Sequence, residues 1–292
     1  MRTNFAGSGV ALITPFLEDG SIDFDALENL VEFQIENGTN YLVVLGTTAE
    51  AATLSKQERK QVVDFIKEKN NKRLPIVVGL GGNNTQEVLN CIEETDFDGI
   101  DAILSVVPYY NKPTQEGMFR HFMAIEEKCP VDIILYNVPG RTGVNMTPAT
   151  TLKLAHSSEK FVAIKEACGD LCQITQIMAG KPDAFQVLSG DDALALPMAS
   201  LGAEGVISVL ANALPGQISR LMQHSLTLEI AEAQNLHFRM FPLIDAMFTE
   251  GNPGGVKALM SQLGLIKNEL RLPLVPVSED HFNTIEKLVE KL

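Results

Sequence analysis

Asp132-Ile133-Ile134-Leu135-Tyr136 runs into the loop Asn137-Val138-Pro139-Gly140-Arg141-Thr142-Gly143, and after a helical stretch from Thr147 to Ala155 the chain returns as Phe161-Val162-Ala163-Ile164-Lys165. Two short apolar, β-rich runs with an amphipathic segment between them form a βαβ crossover, the building unit of a parallel sheet. The same rhythm repeats along the chain. Further runs stand at Gly9 to Ile13, Tyr41 to Leu45, Ile76 to Gly79, Ala102 to Val106, Phe185 to Leu188 and Gly205 to Val209. With the first two they make eight, the number that closes a TIM barrel, and 292 residues exceed the roughly 250 that such a barrel needs.

Helical apolar spacing fills the gaps at Asp25 to Gln34, Ser55 to Lys67, Thr85 to Glu94, Thr114 to Lys128, Thr147 to Ala155 and Pro215 to His224. Ser55 with Glu58 reads as a capping box, and Thr147-Pro148 as an N-cap followed by proline at the first helical position. Beyond the eighth unit, Leu226 to Phe248, Gly254 to Leu263 and Glu279 to Leu292 read as helices with no strand between them. The expected organisation is therefore an α/β barrel over residues 1–226 and a small C-terminal helical domain over 227–292. A doubly wound sheet is the rival. Gly79, Gly81 and Gly82 superficially suggest a dinucleotide loop, but the third spaced glycine is missing and turn geometry explains them better.

Composition narrows the function. Lys plus Arg number 23 against 37 Asp plus Glu, a net charge of −14 that repels phosphate backbones and anionic lipid surfaces. No apolar run approaches the roughly 20 residues that span a bilayer, and Met1-Arg2-Thr3-Asn4-Phe5 leads into no apolar leader core. Neither a nucleic-acid nor a membrane partner is expected, and the location expected is cytoplasmic. Cys91, Cys129, Cys168 and Cys172 form no CxxC pair, and the five histidines lack ligand spacing, so neither a metal nor another cofactor is expected.

Barrel enzymes carry their chemistry at the carboxyl ends of strands. Lys165 ends the sixth run. Most lysines are solvated surface groups, but desolvation at the end of a buried strand favours the neutral amine, the form that attacks a carbonyl. Tyr136 ends the neighbouring run, where a phenol can shuttle protons for imine chemistry; on spacing alone it reads equally well as an aromatic cap on the barrel core. Arg141 offers a planar fork for a carboxylate or is a plain surface arginine. Gly46-Thr47-Thr48-Ala49-Glu50 is either an anion cradle or an ordinary turn.

Together with Gly9-Val10-Ala11-Leu12-Ile13-Thr14-Pro15-Phe16, Pro108-Tyr109-Tyr110-Asn111-Lys112-Pro113, Ile164-Lys165-Glu166-Ala167, Ser189-Gly190-Asp191-Asp192 and Gly205-Val206-Ile207-Ser208-Val209, these segments resemble the 4-hydroxy-tetrahydrodipicolinate (dihydrodipicolinate) synthases. That group lies within the N-acetylneuraminate lyase family of class I aldolases. The resemblance spans nearly the whole chain. It implies a lyase of lysine biosynthesis that condenses pyruvate with L-aspartate-4-semialdehyde, usually as a dimer of dimers. Lys165 would form the Schiff base, and Tyr136 would transfer protons. Thr47 would link Tyr136 to Tyr110, which would reach into a neighbouring subunit's site. Thr48 would hold the pyruvate carboxylate and Arg141 that of the semialdehyde, with Gly190 and Ile207 lining the site.

The Thr47-Thr48 pair and Arg141 look like the synthase rather than the neuraminate lyases. Two departures, Ala49 and Cys168 in place of the usual glycine and threonine, remove no reactive group. Asn83, Glu87 and Tyr109 match an interface pocket that binds lysine in some members. Lys56 and Arg59 bring cations beside it, so weak or absent inhibition by lysine is expected. Two other readings stand: a sister pyruvate aldolase acting on a sugar acid, for which Arg141 would be nearly silent, and a catalytically dead barrel, which would be expected to have lost at least one of Lys165, Tyr136, Thr47 and Tyr110.

Overall fold

A computed structural model describes residues 3–291. Eight parallel strands close into a barrel in sequence order: β1 (Gly7–Ala11), β2 (Tyr41–Val44), β3 (Ile76–Gly79), β4 (Ala102–Val106), β5 (Asp132–Asn137), β6 (Phe161–Glu166), β7 (Gln186–Ser189) and β8 (Gly205–Ser208). Closure is made by β8 against β1, with Gly7 opposite Gly205 and Gly9 opposite Ile207. The doubly wound rival is thereby excluded. Gly79 and Gly81 are small because backbone passes against them: a Cβ would stand 2.2 Å from the Leu45 carbonyl oxygen and 2.8 Å from the Val106 nitrogen.

The helices are α1 (Phe24–Glu36), α2 (Lys56–Asn70), α3 (Thr85–Glu94), α4 (Gln115–Lys128), α5 (Pro139–Thr142), α6 (Pro148–Ser157), α7 (Leu171–Gly180), α8 (Ala195–Ser200), α9 (Pro215–Leu226), α10 (Ile230–Thr249), α11 (Gly254–Gln262) and α12 (Glu279–Val289). The capping box at Ser55 and Glu58 forms in full. Thr147 caps α6 by position only, because its hydroxyl turns to Gln115 and Thr150 instead of the helix backbone.

Other departures from the sequence reading have local causes. The first strand begins and ends two residues early, since Ile13 N–H donates to the Asn212 side chain rather than to a neighbouring strand. Helices α7 and α8, unread in the sequence, flank β7. A break at residues 227–229, with Leu228 at φ +62°, separates α9 from α10, so the helix expected from Leu226 begins at Ile230.

Alternation along each strand sorts side chains between two compartments. Tyr41, Val43, Val77, Leu104, Ile134, Tyr136, Ala163, Leu188 and Ile207 pack with one another inside the barrel. At its floor Tyr41 is fully buried edge-on to Phe5, and Gly9 has no side chain because a Cβ would meet the Tyr41 ring at 2.3 Å. Outside, a larger cluster joins Val10, Leu42 and Val206 to Met240, Leu243, Met247, Val256, Leu259 and Ile285, so α10, α11 and α12 share one apolar core with the barrel wall.

Candidate active site

The pairing of β5 with β6 slips by one residue between Ile133 and Ile134. Ile133 lies opposite Phe161, and unbroken counting would set Tyr136 opposite Ile164, whose side chain points outward. After the slip Tyr136 stands opposite Lys165, so both candidate side chains face the barrel interior at its carboxyl end. Lys165 is 5% exposed and Tyr136 7%, and the Lys165 Nζ lies 4.4 Å from the Tyr136 ring centroid.

Gly190, just past β7, shapes the other side. Its N–H donates to the Glu166 carbonyl oxygen at 2.8 Å, and a Cβ here would stand 2.8 Å from Ala167 Cβ, 3.0 Å from Lys165 Cε and 3.1 Å from Lys165 Cγ. The backbone therefore passes directly against the lysine stem. Ile207, fully buried on β8, packs in the interior cluster that also contains Tyr136. Of the residues expected at the site, Lys165, Tyr136, Gly190 and Ile207 are thus gathered at the barrel mouth.

Behind the lysine, strand alternation sends Glu166 outward into a buried polar group. Its carboxylate accepts from Asn137 Nδ2 at 2.9 Å, Gln173 Nε2 at 3.1 Å and the Cys168 N–H at 3.0 Å. Burial nevertheless holds Glu166 above the usual carboxylate range. Cys168 is pushed up to about 12, first by burial and then by the Glu166 charge, which makes it a poor thiolate nucleophile.

The turn after β2 carries the threonine pair. Thr47–Ala49 form a 3-10 turn whose leading N–H groups have no acceptor within it, and Glu50 follows in the left-handed region at φ +53°. Thr48 is buried whereas Thr47 is exposed. Arg141 sits on α5, held over the mouth by the tight Val138–Gly143 loop, and its side chain is exposed. One residue ties these two together. Asn252, in the loop between α10 and α11, donates from Nδ2 to Thr48 Oγ1 at 3.0 Å, and its backbone carbonyl accepts from Arg141 Nη2 at 3.4 Å.

A second link from the C-terminal helices lies directly beneath the turn. Lys257 Nζ meets Glu50 Oε1 at 2.5 Å with both side chains fully buried. The other Glu50 oxygen accepts the Arg271 N–H at 3.0 Å, and Lys257 also donates to the Glu269 carbonyl at 2.9 Å. Arg271 in turn grips Glu58 with both terminal nitrogens, and those hydrogen bonds pull the Glu58 carboxyl down to about 2. The residues of the turn were legible from sequence, whereas Asn252 and Lys257 were not.

Not every expected residue joins the cluster. Tyr110 is 87% exposed, its backbone N–H tied to the Thr142 carbonyl at 3.3 Å, and no hydrogen bond connects it to Thr47 or Tyr136 within this single chain. Asn83 precedes α3, Glu87 lies exposed in its first turn, and Tyr109 is half-exposed beyond β4. Lys56 is not a free cation beside them: it pairs with Glu94 on α3, and Glu94 and Glu87 both favour its charged form. Arg59 donates Nε to the Leu54 carbonyl at 3.1 Å. Among the described residues no group of His, Cys, Asp and Glu could hold a metal ion, and no helix is long and apolar enough to cross a membrane.

Residues 4–292 match the model of the dihydrodipicolinate synthetase family. The chain is 52% identical to the 4-hydroxy-tetrahydrodipicolinate synthase of Azobacteroides pseudotrichonymphae over 281 residues, covering 96% of this chain and 95% of that one. The dihydrodipicolinate synthase of Aquifex aeolicus superposes with a TM-score of 0.95 at 40% identity, over 98% of both chains. The chloride-inhibited dihydrodipicolinate synthase of Acinetobacter baumannii, solved with pyruvate, superposes with a TM-score of 0.96 at 41% identity over 99% of both.

Proposed function

The chain belongs to the dihydrodipicolinate synthetase family, and from that premise we propose that it condenses pyruvate with L-aspartate-4-semialdehyde through an imine on Lys165, as a lyase of lysine biosynthesis. The observation that carries this reading is the buried lysine at the end of β6, in register with Tyr136 and walled by Gly190.

The Lys165 amine adds to the pyruvate carbonyl, and loss of water from the carbinolamine gives the imine. Its positive nitrogen draws electrons from the neighbouring methyl group, so a proton leaves and an enamine forms. Tyr136, beside the nitrogen, is the group placed to carry these protons. The enamine carbon attacks the aldehyde, and the substrate's own amino nitrogen then closes the ring by displacing Lys165. The imine is the electron sink, so the reaction requires no cofactor.

Within this reading Thr48 and its turn hold the pyruvate carboxylate and Arg141 holds that of the semialdehyde, since a guanidinium fork matches a carboxylate in two hydrogen bonds. Ile207 lines the site through its backbone. Tyr110, so exposed here, serves a neighbouring subunit, with Thr47 relaying to it, in a cytoplasmic dimer of dimers. Asn83, Glu87 and Tyr109 form a regulatory pocket at that interface. Residues 1–226 act as the catalytic barrel and 227–292 as a helical domain that braces it.

The test is the intact mass after borohydride reduction with pyruvate, followed by an assay supplied with L-aspartate-4-semialdehyde. An adduct on Lys165 with consumption of the semialdehyde supports the proposal. An adduct with no consumption moves the reading to a sister aldolase, for which Arg141→Ala would be nearly silent.

A further inference from the structure

We propose that Glu166 is a positioning residue for the second substrate, its buried carboxylate pinning both feet of the loop that carries Arg141; this rests on the reading above in which Arg141 holds the semialdehyde carboxylate. Glu166 is 1% exposed and points away from the barrel interior that Lys165 faces, so any effect on the reaction passes through other residues. It accepts from Asn137 Nδ2 at 2.9 Å, Gln173 Nε2 at 3.1 Å and the Cys168 N–H at 3.0 Å. Each of these presents an N–H, the set that suits an ionised carboxylate, whereas the proton of a neutral acid would face donors. A charge buried on uncharged partners is costly and calls for a physical explanation.

The two amides supply one. Asn137 ends β5 and Asn145-Met146 lead into α6, so these residues are the feet of the excursion 138–144. Asn137 Oδ1 accepts the Met146 N–H at 3.0 Å, and Asn137 Nδ2 donates to Asn145 Oδ1 at 2.7 Å. Asn145 Nδ2 donates to Gln173 Oε1 at 2.8 Å. Both amides that grip the far foot are therefore themselves anchored on Glu166. Between the feet the excursion is braced within itself: the Arg141 and Thr142 N–H groups donate to the Val138 carbonyl at 2.9 and 3.0 Å, and Thr142 Oγ1 to the Val144 carbonyl at 2.7 Å. A short segment that is stiff inside takes its place from its feet. The Tyr110 N–H on the Thr142 carbonyl at 3.3 Å and Gln115 Nε2 on the Asn145 carbonyl at 2.8 Å steady it from the β4 side. Glu166, with the Ala167 N–H on the Asn137 carbonyl at 2.9 Å, ties it to β6, the strand of the amine. Glu166 thus sets where Arg141 stands relative to Lys165.

The experiment compares wild type, Glu166→Gln, Arg141→Ala and the double variant. Each is read as the rate of borohydride trapping with pyruvate and as KM and kcat for L-aspartate-4-semialdehyde. Glutamine keeps the shape of Glu166 but turns one acceptor into a donor, so one of the two amides then faces a donor. Releasing one charge-assisted hydrogen bond should raise KM for the semialdehyde about 10-fold, with trapping and kcat within a few-fold of wild type. In the Arg141→Ala background Glu166→Gln should add almost nothing, because the loop no longer carries the group that it would misplace. If the two losses multiply in the double variant, or if trapping falls as far as KM rises, Glu166 serves the fold or Lys165 at large and the proposal is overturned. Gln173→Met, which keeps the length but cannot donate, must show the same rise in KM and lose it without Arg141; it carries the test if Glu166→Gln does not melt cooperatively. A wild type that is trapped by pyruvate yet consumes no L-aspartate-4-semialdehyde sinks the synthase reading itself, before any variant is compared.

Discussion

Replacing Gly190 by alanine tests whether close backbone approach is what fixes the amine proposed to form the imine. The new Cβ would start 2.8 Å from Ala167 Cβ, 3.0 Å from Lys165 Cε and 3.1 Å from Lys165 Cγ, against roughly 3.5–4.0 Å for relaxed carbon contacts. Gly190 has no positive φ, so its backbone conformation suits alanine and the strain is one of space alone. Ala167 is short and anchored by its N–H to the Asn137 carbonyl at 2.9 Å, so the flexible lysine stem must give way. A shift of the order of 1 Å in a reacting group costs about 100-fold in rate, equivalent to about 2.7 kcal/mol of barrier. Overpacking alone costs about 1–3 kcal/mol of stability. The assay pairs the rate of pyruvate trapping by borohydride, and kcat/KM for condensation, with a thermal melt. Both rates should fall about 100-fold while the melt still shows a cooperatively folded protein. Gly140→Ala is the control, because its Cβ would meet nothing within 4 Å. Rates for Gly190→Ala within a few-fold of wild type would sink the reasoning.

Other perturbations test the frame around the site. Lys257→Met leaves Glu50 as an unpaired buried charge and should cost about 3–5 kcal/mol in urea denaturation, with Glu50→Gln/Lys257→Met recovering most of it; no recovery in the double variant would refute the pairing argument. Glu58, held down to about 2 by Arg271, stabilises the fold fully above its unfolded value of about 4.5 and loses that contribution as pH falls toward 2. The stability gap between wild type and Glu58→Gln should therefore narrow between pH 5 and pH 3, and a gap constant over that range would contradict the assignment. L-lysine should inhibit only weakly. With Lys56 already paired to Glu94, Arg59 is left as the main source of repulsion, so sub-millimolar inhibition of the wild type would refute the expectation.

The barrel was legible because its strands are buried on both faces and so read as apolar runs, bounded by turns, whatever their partners. Where side chains from afar cap a strand, sequence reading fails: Asn212, which takes the Ile13 N–H, lies 199 residues away. Helix α8 is too short to show a period, and Asp170, which caps α7 with its side chain, was the unused signal for that helix. Lys165 and Tyr136 could be singled out as strand-end residues, but the slip that sets them opposite each other has no mark in the sequence. Asn252 reads as one polar residue in the turn Gly251-Asn252-Pro253-Gly254, and its contact with Thr48 spans 204 residues. Lys257 reads as a surface lysine on a helix, although it is fully buried.

These unread residues tie the C-terminal helices to the groups proposed to bind substrate. The register of Lys165 and Tyr136 is set between β5 and β6, but a barrel cut after α9 would bare the apolar wall that α10, α11 and α12 cover. It would strip Lys257 from Glu50, which closes the turn bearing Thr48 at φ +53°. It would also remove Asn252 from Thr48 and Arg141 together. A buried carboxylate without its cation draws in water, and the turn it anchors would reorganise to admit it. The strands place the amine, while the helices beyond α9 hold the groups proposed to orient both carboxylates against it.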